Sequence, residues 1–211
     1  MRVNRTTTPS PPMMRGQRRA GKLLQVATDL FLELGYERTS MDAVIKKAGG
    51  SKTTLYRCFP TKADLFRSVV ESIVAGQDEP DLDLEDDIRE TLQRFAHQRM
   101  RVVSSQTHVA LVRLIVSEQN RFSRAAELYW AEGPARRMRI LTRYFAKLKH
   151  SLRLSIDDPE ETASFFNSAL MNSWYIRQLI LSSATLSEDE MKQHATRTID
   201  RFLKLYLPAE K

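Results

Sequence analysis

The 211 residues include 33 lysines and arginines against 26 aspartates and glutamates, a net charge of +7, and 42% of them are hydrophobic. This composition is typical of a globular protein and excludes an intrinsically disordered chain. The single cysteine and four histidines lack disulfide or metal-ligand spacing, and no apolar run reaches the roughly 20 residues of a membrane helix. We therefore expect a cytoplasmic protein with no metal, no other cofactor and no membrane-spanning helix.

The positive charge is concentrated in the first third of the chain. Residues 1–77 hold 13 Lys and Arg against 6 Asp and Glu, whereas residues 78–211 hold 20 of each. This asymmetry predicts a polyanionic partner for the N-terminal part, either nucleic acid or an anionic membrane surface. The neutral remainder of the chain indicates a second region with another task.

Residues 1–16 contain Arg2, Arg5 and Arg15 with three prolines and no acidic residue. The segment lacks any hydrophobic periodicity, which predicts a flexible basic arm. An arm of this kind is either a plain disordered tail or a segment that lies on DNA phosphates.

Four helices are predicted between residues 17 and 77. Apolar residues recur at helical spacing from residue 17 until Gly35, which ends the first helix. The next helix follows Ser40 and ends at Gly49, another follows Ser51, and the last begins at Thr61. Residues 17–77 are therefore predicted to form one compact helical head.

A second helical region follows an acidic segment. Residues 77–87 contain seven carboxylates and a proline, which marks a linker. Helical periodicity resumes at Ile88, with further starts signalled at Pro134, Asp158 and Ser187. Because no alternating run of β-branched residues occurs, the predicted fold is all-α with about nine helices.

Residues 40–59 have the spacing of a helix-turn-helix motif, in which two short helices are joined by residues 48–51. Burial of Leu55 would leave a basic, hydroxyl-rich face outward on the second helix. Such side chains can read base edges in a major groove, and others can hold phosphates. An α-hairpin with a basic face shows a similar pattern.

The stretch from Arg19 to Val74 contains ATDLFLELGYERTSM, the AG-x-SKTTLY turn and helix, Phe59, and Lys62 with Leu65-Phe66. On these motifs it resembles the DNA-binding domain of the TetR family of transcriptional regulators. It implies a homodimer that binds a palindromic operator in double-stranded DNA and that, in most members, represses until a small molecule releases it. Base contacts are implied for Lys52, Thr53, Thr54, Tyr56 and Arg57. Phosphate contacts are implied for Ser40, Ser51, Thr54, Tyr56 and Lys62.

Two residues depart from the family pattern. Gly50 stands where members usually have Val or Ile, which predicts a looser turn. Cys58 stands where His or Tyr is usual, which removes one phosphate contact that Arg57 could replace. A redox role for Cys58 is the alternative to an inert, small buried side chain.

Residues 111–138 are similar to the AefR-like C-terminal domain of some TetR regulators. The resemblance implies that residues 78–211 form a ligand-binding and dimerisation domain, with an inducer pocket among its central helices. The candidate ligand-binding residues are Arg113, Phe122, Tyr129, Trp130, Trp174 and Tyr175. Plain packing, or an ion pair of Arg113 with Glu118, is the alternative for these residues. A cationic Arg113 in an apolar helix favours an anionic ligand.

The last two helices, at about 159–181 and 188–207, have the length and apolar content to form a four-helix bundle with a second copy. In the TetR family this pair of helices makes the dimer interface. The predicted contact residues are Phe165, Phe166, Ala169, Ile199, Phe202, Leu203 and Tyr206.

Catalytic signatures are absent from the sequence: it has no Gly-rich phosphate loop, no GxSxG and no HExxH. We therefore predict a regulator and not an enzyme, namely a homodimeric, ligand-responsive repressor with no membrane partner. The alternative is a protein that binds DNA without sequence specificity, or one that binds an anionic membrane surface.

Overall fold

The structure is a computed structural model that describes residues 12–76, 82, 84–181 and 185–207. Residues 1–11 of the predicted arm lie outside the described residues. The first helix already begins at Pro12, five residues before the predicted start. Proline suits the first position of a helix because its missing N–H would have no intrahelical partner there.

The described residues form ten α-helices and contain no strand. They are α1 (Pro12–Arg38), α2 (Met41–Ala48), α3 (Lys52–Cys58), α4 (Lys62–Ala75), α5 (Ile88–Ser104), α6 (Gln106–Glu118), α7 (Ser123–Trp130), α8 (Arg136–His150), α9 (Pro159–Ile180) and α10 (Glu188–Tyr206). A π-helical turn at Ala131–Ala135 joins α7 to α8 without a break, so the three segments form one continuous helix. The predicted all-α fold is confirmed.

The chain divides into two compact units, the first ending at Val69 and the second beginning at Val70. The first unit is built around stacked and edge-on aromatic rings. Phe31 lies 5.6 Å from Tyr36 and 5.3 Å from Phe66 between ring centroids. Gly35 has φ 79°, in the left-handed region that glycine tolerates, and interrupts the helical backbone of α1. This is the residue at which the sequence predicts the end of the first helix.

The core of the second unit lies between α5, α8, α9 and α10. Phe166 is at its centre, with ring centroids 6.0 Å from Phe145, 4.9 Å from Phe202 and 6.2 Å from Phe95. All four side chains are buried. Such aromatic contacts add to the stabilisation that burial of the rings supplies.

Side-chain caps define where the last two helices begin. Asp158 accepts from the backbone N–H groups of Glu160 and Glu161 at 2.8 and 3.2 Å. Ser187 and Glu190 form a capping box at the start of α10. Both starts satisfy backbone donors that have no partner within the helix, which explains why the sequence signals were strong.

The structure places most of the predicted dimer contacts in the core of the single chain. Phe166, Ile199, Phe202 and Leu203 are at most 4% exposed, which leaves no surface for a second copy to contact. Their helical spacing therefore marks the face that packs inside the chain. Three predicted contacts remain outside that set: Phe165, Ala169 and Tyr206 are exposed or half-buried.

Within the described ranges, no helix is both long and apolar enough to cross a membrane. The same residues contain no group of three or more His, Cys, Asp or Glu that could hold a metal ion.

Candidate DNA-binding surface and buried polar cluster

The exposed face of α3 is the first candidate site. Leu55 is completely buried and anchors the helix, while Thr53, Tyr56 and Arg57 are exposed. These three are spaced so that they share one side of the helix. The result is a surface with one guanidinium and two hydroxyl groups, which suits contacts to base edges and phosphates.

Serine caps hold α2 and α3 in place. The Ser40 hydroxyl accepts from the N–H of Ala43 at 3.0 Å, and the Ser51 hydroxyl accepts from the N–H of Thr54 at 3.2 Å. Between them, Gly49 has φ 69° and donates its N–H to the carbonyl of Ile45 at 2.9 Å. The turn therefore needs glycine at this position.

Lysines near α3 already have partners in the free protein. Lys52 Nζ lies 2.9 Å from an oxygen of Asp42, and this hydrogen bond and charge attraction raise the pKa of Lys52. Lys62 Nζ donates to the carbonyl of Glu37 at 3.2 Å and lies 4.2 Å from the centre of the Tyr36 ring. Arg57 makes no ion pair with any described residue.

The structure adds two basic residues to this surface. Arg19 and Lys22, in α1, line a cleft of about 170 Å³ together with Gly49, Gly50 and Ser51 of the turn. Both are charged and precede the first buried residue of α1, which is a signal that can be read from the sequence. Cys58 is a free, half-buried cysteine at the end of α3.

A buried polar cluster in the second unit is the second candidate site. Five helices contribute one residue each to this polar cluster: Arg99 of α5, His108 of α6, Tyr129 of α7, Arg137 of α8 and Tyr175 of α9. His108 Nε2 lies 3.2 Å from the Tyr175 hydroxyl and 3.5 Å from the Tyr129 hydroxyl. The His108 ring centroid lies 6.1 Å from that of Tyr129 and 6.3 Å from that of Tyr175.

Burial is the main influence on the charges of the polar cluster. It lowers the pKa of His108 to about 3, helped by the positive charges of Arg99 and Arg137. Burial also lowers the pKa of Arg99. Burial and the positive charge of Arg99 together lower the pKa of Arg137 to about 10. Burial raises the pKa of both tyrosines. At neutral pH the polar cluster thus holds two guanidinium cations and a neutral imidazole.

We expect His108 to make the fold sensitive to acid. An unfolded histidine has a pKa near 6.5, so below that pH the unfolded chain binds a proton that the folded chain excludes. Stability contributed by the neutral imidazole is present above pH 6.5 and is lost as the pH falls towards 3. The free energy of unfolding should fall by about 2 kcal/mol from this residue between pH 7 and pH 5.

Urea unfolding of the native chain and of His108→Gln at both pH values measures this difference. Glutamine can still accept from Tyr175 but does not titrate, so the variant should lose about 2 kcal/mol less than the native chain. An equal loss in both proteins would mean that the acid sensitivity comes from other residues.

The structure brings only Tyr129 and Tyr175 of the predicted ligand-binding residues into the polar cluster. Arg113 is exposed and donates to the carbonyls of Leu179 and Gln178 at 2.8 and 3.0 Å, where α9 ends. It therefore satisfies carbonyls that lack a helical partner, a structural role that is neither plain packing nor an ion pair with Glu118.

The other three predicted ligand-binding residues are not members of the polar cluster. Trp174 packs against the core and donates its indole N–H to the carbonyl of Leu170 at 2.9 Å. Trp130 is exposed and lines an open cleft of about 840 Å³ beside α8. Phe122 precedes α7 with the Arg121 guanidinium 5.7 Å from its ring centre.

Arg99, His108 and Arg137 are the residues that sequence reasoning missed. Each stands at a helical position that the spacing of its neighbours assigns to the core: Arg99 lies four residues before the buried Val103, and Arg137 four before the buried Leu141. A polar residue at a core position is the signal that could have identified them.

The fold and the first site define a helix-turn-helix DNA-binding regulator with a second, larger helical unit. Two family comparisons agree with this class. Residues 90–208 match the family described as AefR-like transcriptional repressor, C-terminal domain, and residues 23–69 match bacterial regulatory proteins of the tetR family. The chain belongs to the TetR family of transcriptional regulators, and both predicted resemblances are confirmed.

Individual relatives extend the comparison. Over 58 residues the chain is 41% identical to the DNA-binding transcriptional repressor TetR of Mycobacteroides abscessus, and this match spans 28% of the chain and 30% of that repressor. A regulator structure from Mesorhizobium loti has a TM-score of 0.79 at 26% identity, covering 92% of this chain and 99% of that one. The Flavonoid-responsive Regulator FrrA has a TM-score of 0.74 at 33% identity, covering 92% and 100%.

Proposed function

We propose that this regulator is a cytoplasmic, homodimeric repressor that binds a palindromic operator and is released by a small molecule. The exposed face of α3, held by the Ser40 and Ser51 caps, is the observation that carries the DNA-binding part. The relative from Mycobacteroides abscessus is named a repressor, and FrrA is named for its response to flavonoids. These names support repression and ligand release for a chain of the same family.

The α3 face would lie in the major groove, with Thr53, Tyr56 and Arg57 directed at the DNA. Arg57 has the donors for a guanine, while the threonine offers a hydroxyl and a methyl group. Lys62 at the start of α4, and Arg19 and Lys22 beside the turn, would lie along phosphates. Two such heads related by twofold symmetry would read the two halves of a palindrome.

Selection of bound sequences from random duplex DNA, at roughly physiological salt, tests the DNA-binding proposal. A palindrome in the selected pool supports an operator-binding dimer. Selection of no common sequence would favour the alternative, a protein that binds DNA without sequence specificity.

The affinity for the selected duplex should also depend on salt. About six phosphate contacts per dimer predict that the logarithm of the association constant falls with the logarithm of salt concentration at a slope of roughly −5 or steeper. Fluorescence anisotropy with a labelled duplex across a salt series measures the slope. A slope near zero would contradict phosphate contacts as the main source of affinity.

The outer side of α9 is the proposed dimer interface. Phe165, Ile176 and Ile180 of α9 are 46%, 56% and 71% exposed, the phenylalanine before and the isoleucines after a kink at Asn172, and Leu205 is exposed on α10. Large apolar side chains gain free energy when a second copy removes them from water. Together with Ala169 and Tyr206 they make up the proposed contact surface, while Phe166, Ile199, Phe202 and Leu203 pack inside the single chain.

A further inference from the structure

The polar cluster contains positive charge that no described residue neutralises. Neither Arg99 nor Arg137 forms an ion pair within the described part of the chain, and no carboxylate contributes to the pKa of either guanidinium. Burying two like charges close together is unfavourable unless an anion accompanies them. The arrangement therefore favours an anionic group from outside the chain.

The polar cluster also contains hydrogen-bond donors without acceptors. Arg99 Nε and Nη1 and His108 Nδ1 are completely buried and have no hydrogen-bond partner among the described residues. Buried polar atoms in folded proteins are nearly always hydrogen-bonded, so a set of unpaired donors in one place indicates a missing acceptor.

The hydrogen bonds within the polar cluster determine which nitrogen of His108 carries the proton. His108 Nε2 lies within hydrogen-bond distance of two hydroxyl groups, that of Tyr175 at 3.2 Å and that of Tyr129 at 3.5 Å, whereas Nδ1 has no partner among the described residues. A hydroxyl can donate to Nε2. With Nε2 as an acceptor, the neutral imidazole carries its proton on Nδ1, which becomes a buried donor on a ring that feels the charges of both guanidinium groups.

Aromatic rings lie beside His108. The rings of Tyr129 and Tyr175 lie at tilted angles to His108, and Trp174 meets Tyr175 edge-on with ring centroids 5.9 Å apart. Flat aromatic molecules pack well against such rings, while a carboxylate accepts hydrogen bonds from guanidinium and imidazole N–H groups.

We propose that Arg99, Arg137 and the Nδ1–H of His108 bind the carboxylate of a small aromatic acid in the polar cluster. This proposal rests on the proposed release by a small molecule and specifies the chemical class of that molecule. It also moves the anion-binding role from Arg113, whose guanidinium donates to the end of α9, to Arg99.

The open cleft beside α8 is a weaker candidate for the same acid. Its arginines are on the solvent side of the helix: Arg136 lies 3.9 Å from Glu132, and Arg139 donates to the carbonyl of Ala131. Because water already solvates these cations, an anion gains less from them than from buried, unpaired guanidinium groups.

Isothermal titration calorimetry with matched acid and amide probes tests the proposal. The probes are 4-hydroxybenzoate and cinnamate, each compared with its neutral amide. The purified full-length protein should bind at least one acid about tenfold or more tightly than its amide, because only the acid neutralises the buried charge. Equal binding of acid and amide, or no binding of either acid at about 10 mM, would overturn the proposal.

Variants on one helix assign the binding to Arg99. Arg99→Met should remove the preference for the acid, while Arg101→Met, at an exposed arginine of the same helix, should retain it. Circular dichroism shows whether Arg99→Met is folded. If it is not, Arg137→Met provides the same test at a less deeply buried site. Retention of the acid preference in the folded variant would refute the assignment.

Operator release is measured separately, so that the two proposals can fail independently. Acid binding that depends on Arg99 but does not release the selected duplex would support the anion site and contradict its role as inducer site. Release by a neutral compound that is unaffected by Arg99→Met would support the proposed function and overturn the aromatic acid. Binding of inorganic phosphate in place of the acids would also overturn the aromatic acid as the ligand.

Discussion

Replacement of Arg57 with alanine is expected to reduce the affinity for the selected palindrome at least about 30-fold. A guanidinium that reads guanine contributes about 1 to 3 kcal/mol of discrimination. A dimer presents it twice, so the loss is about 2 to 6 kcal/mol. Arg57 is well placed for this because it is exposed on the face of α3 and makes no ion pair with a described residue.

Two comparisons identify what Arg57 contacts. Anisotropy with the selected duplex and with duplexes changed at single positions shows whether the variant tolerates a base that the native protein rejects. An equal loss on every duplex would assign Arg57 to a phosphate instead. Arg67→Ala, at an arginine of α4 that pairs with Asp64, is the control and should alter affinity little.

The second large effect is expected at Phe166. This side chain is completely buried against Phe95, Phe145 and Phe202, so Phe166→Ala should lower the free energy of unfolding by about 3 to 5 kcal/mol. The loss combines the burial of the ring with the cavity that remains. Urea unfolding monitored by circular dichroism measures it.

The neighbouring phenylalanine provides a matched control. Phe165 is 46% exposed and its ring centroid lies 6.4 Å from that of Tyr206. Phe165→Ala should therefore change the stability of the single chain much less, but should raise the dimer dissociation constant in sedimentation equilibrium. An unchanged dissociation constant would mean that the outer side of α9 is not the interface.

The helix-turn-helix could be predicted from the sequence because its determinants are local. Ser40 and Ser51 each cap a helix through an N–H three residues away, and Gly49 supplies the left-handed turn between them. Signals of this range are readable along the chain without knowledge of the tertiary fold. The same holds for the starts of α9 and α10.

The polar cluster and the proposed dimer interface, both in the second unit, depend on contacts between residues that are far apart in the sequence. Arg99 and Tyr175 interact although 76 residues separate them, and nothing in either local pattern indicates that pairing. Likewise, periodicity identifies an apolar face on α9 but not whether that face contacts its own chain or another copy. Phe166 and Phe165 are adjacent in sequence, yet only the structure assigns one to the core and the other to the surface.

In the proposed complex, Asp42 would compete with DNA for the ammonium group of Lys52, with which it forms an ion pair in the free protein. Both side chains are largely exposed, so the pair adds little to the stability of the free protein. A guanine within reach of Lys52 offers two acceptors, O6 and N7, that would compete with the aspartate for the ammonium. Where the sequence lacks that acceptor, the lysine keeps its partner in the protein. In the proposed complex Asp42 would therefore offset part of the free energy gained at a guanine, so that a residue outside the predicted DNA contacts would limit what Lys52 contributes to selectivity.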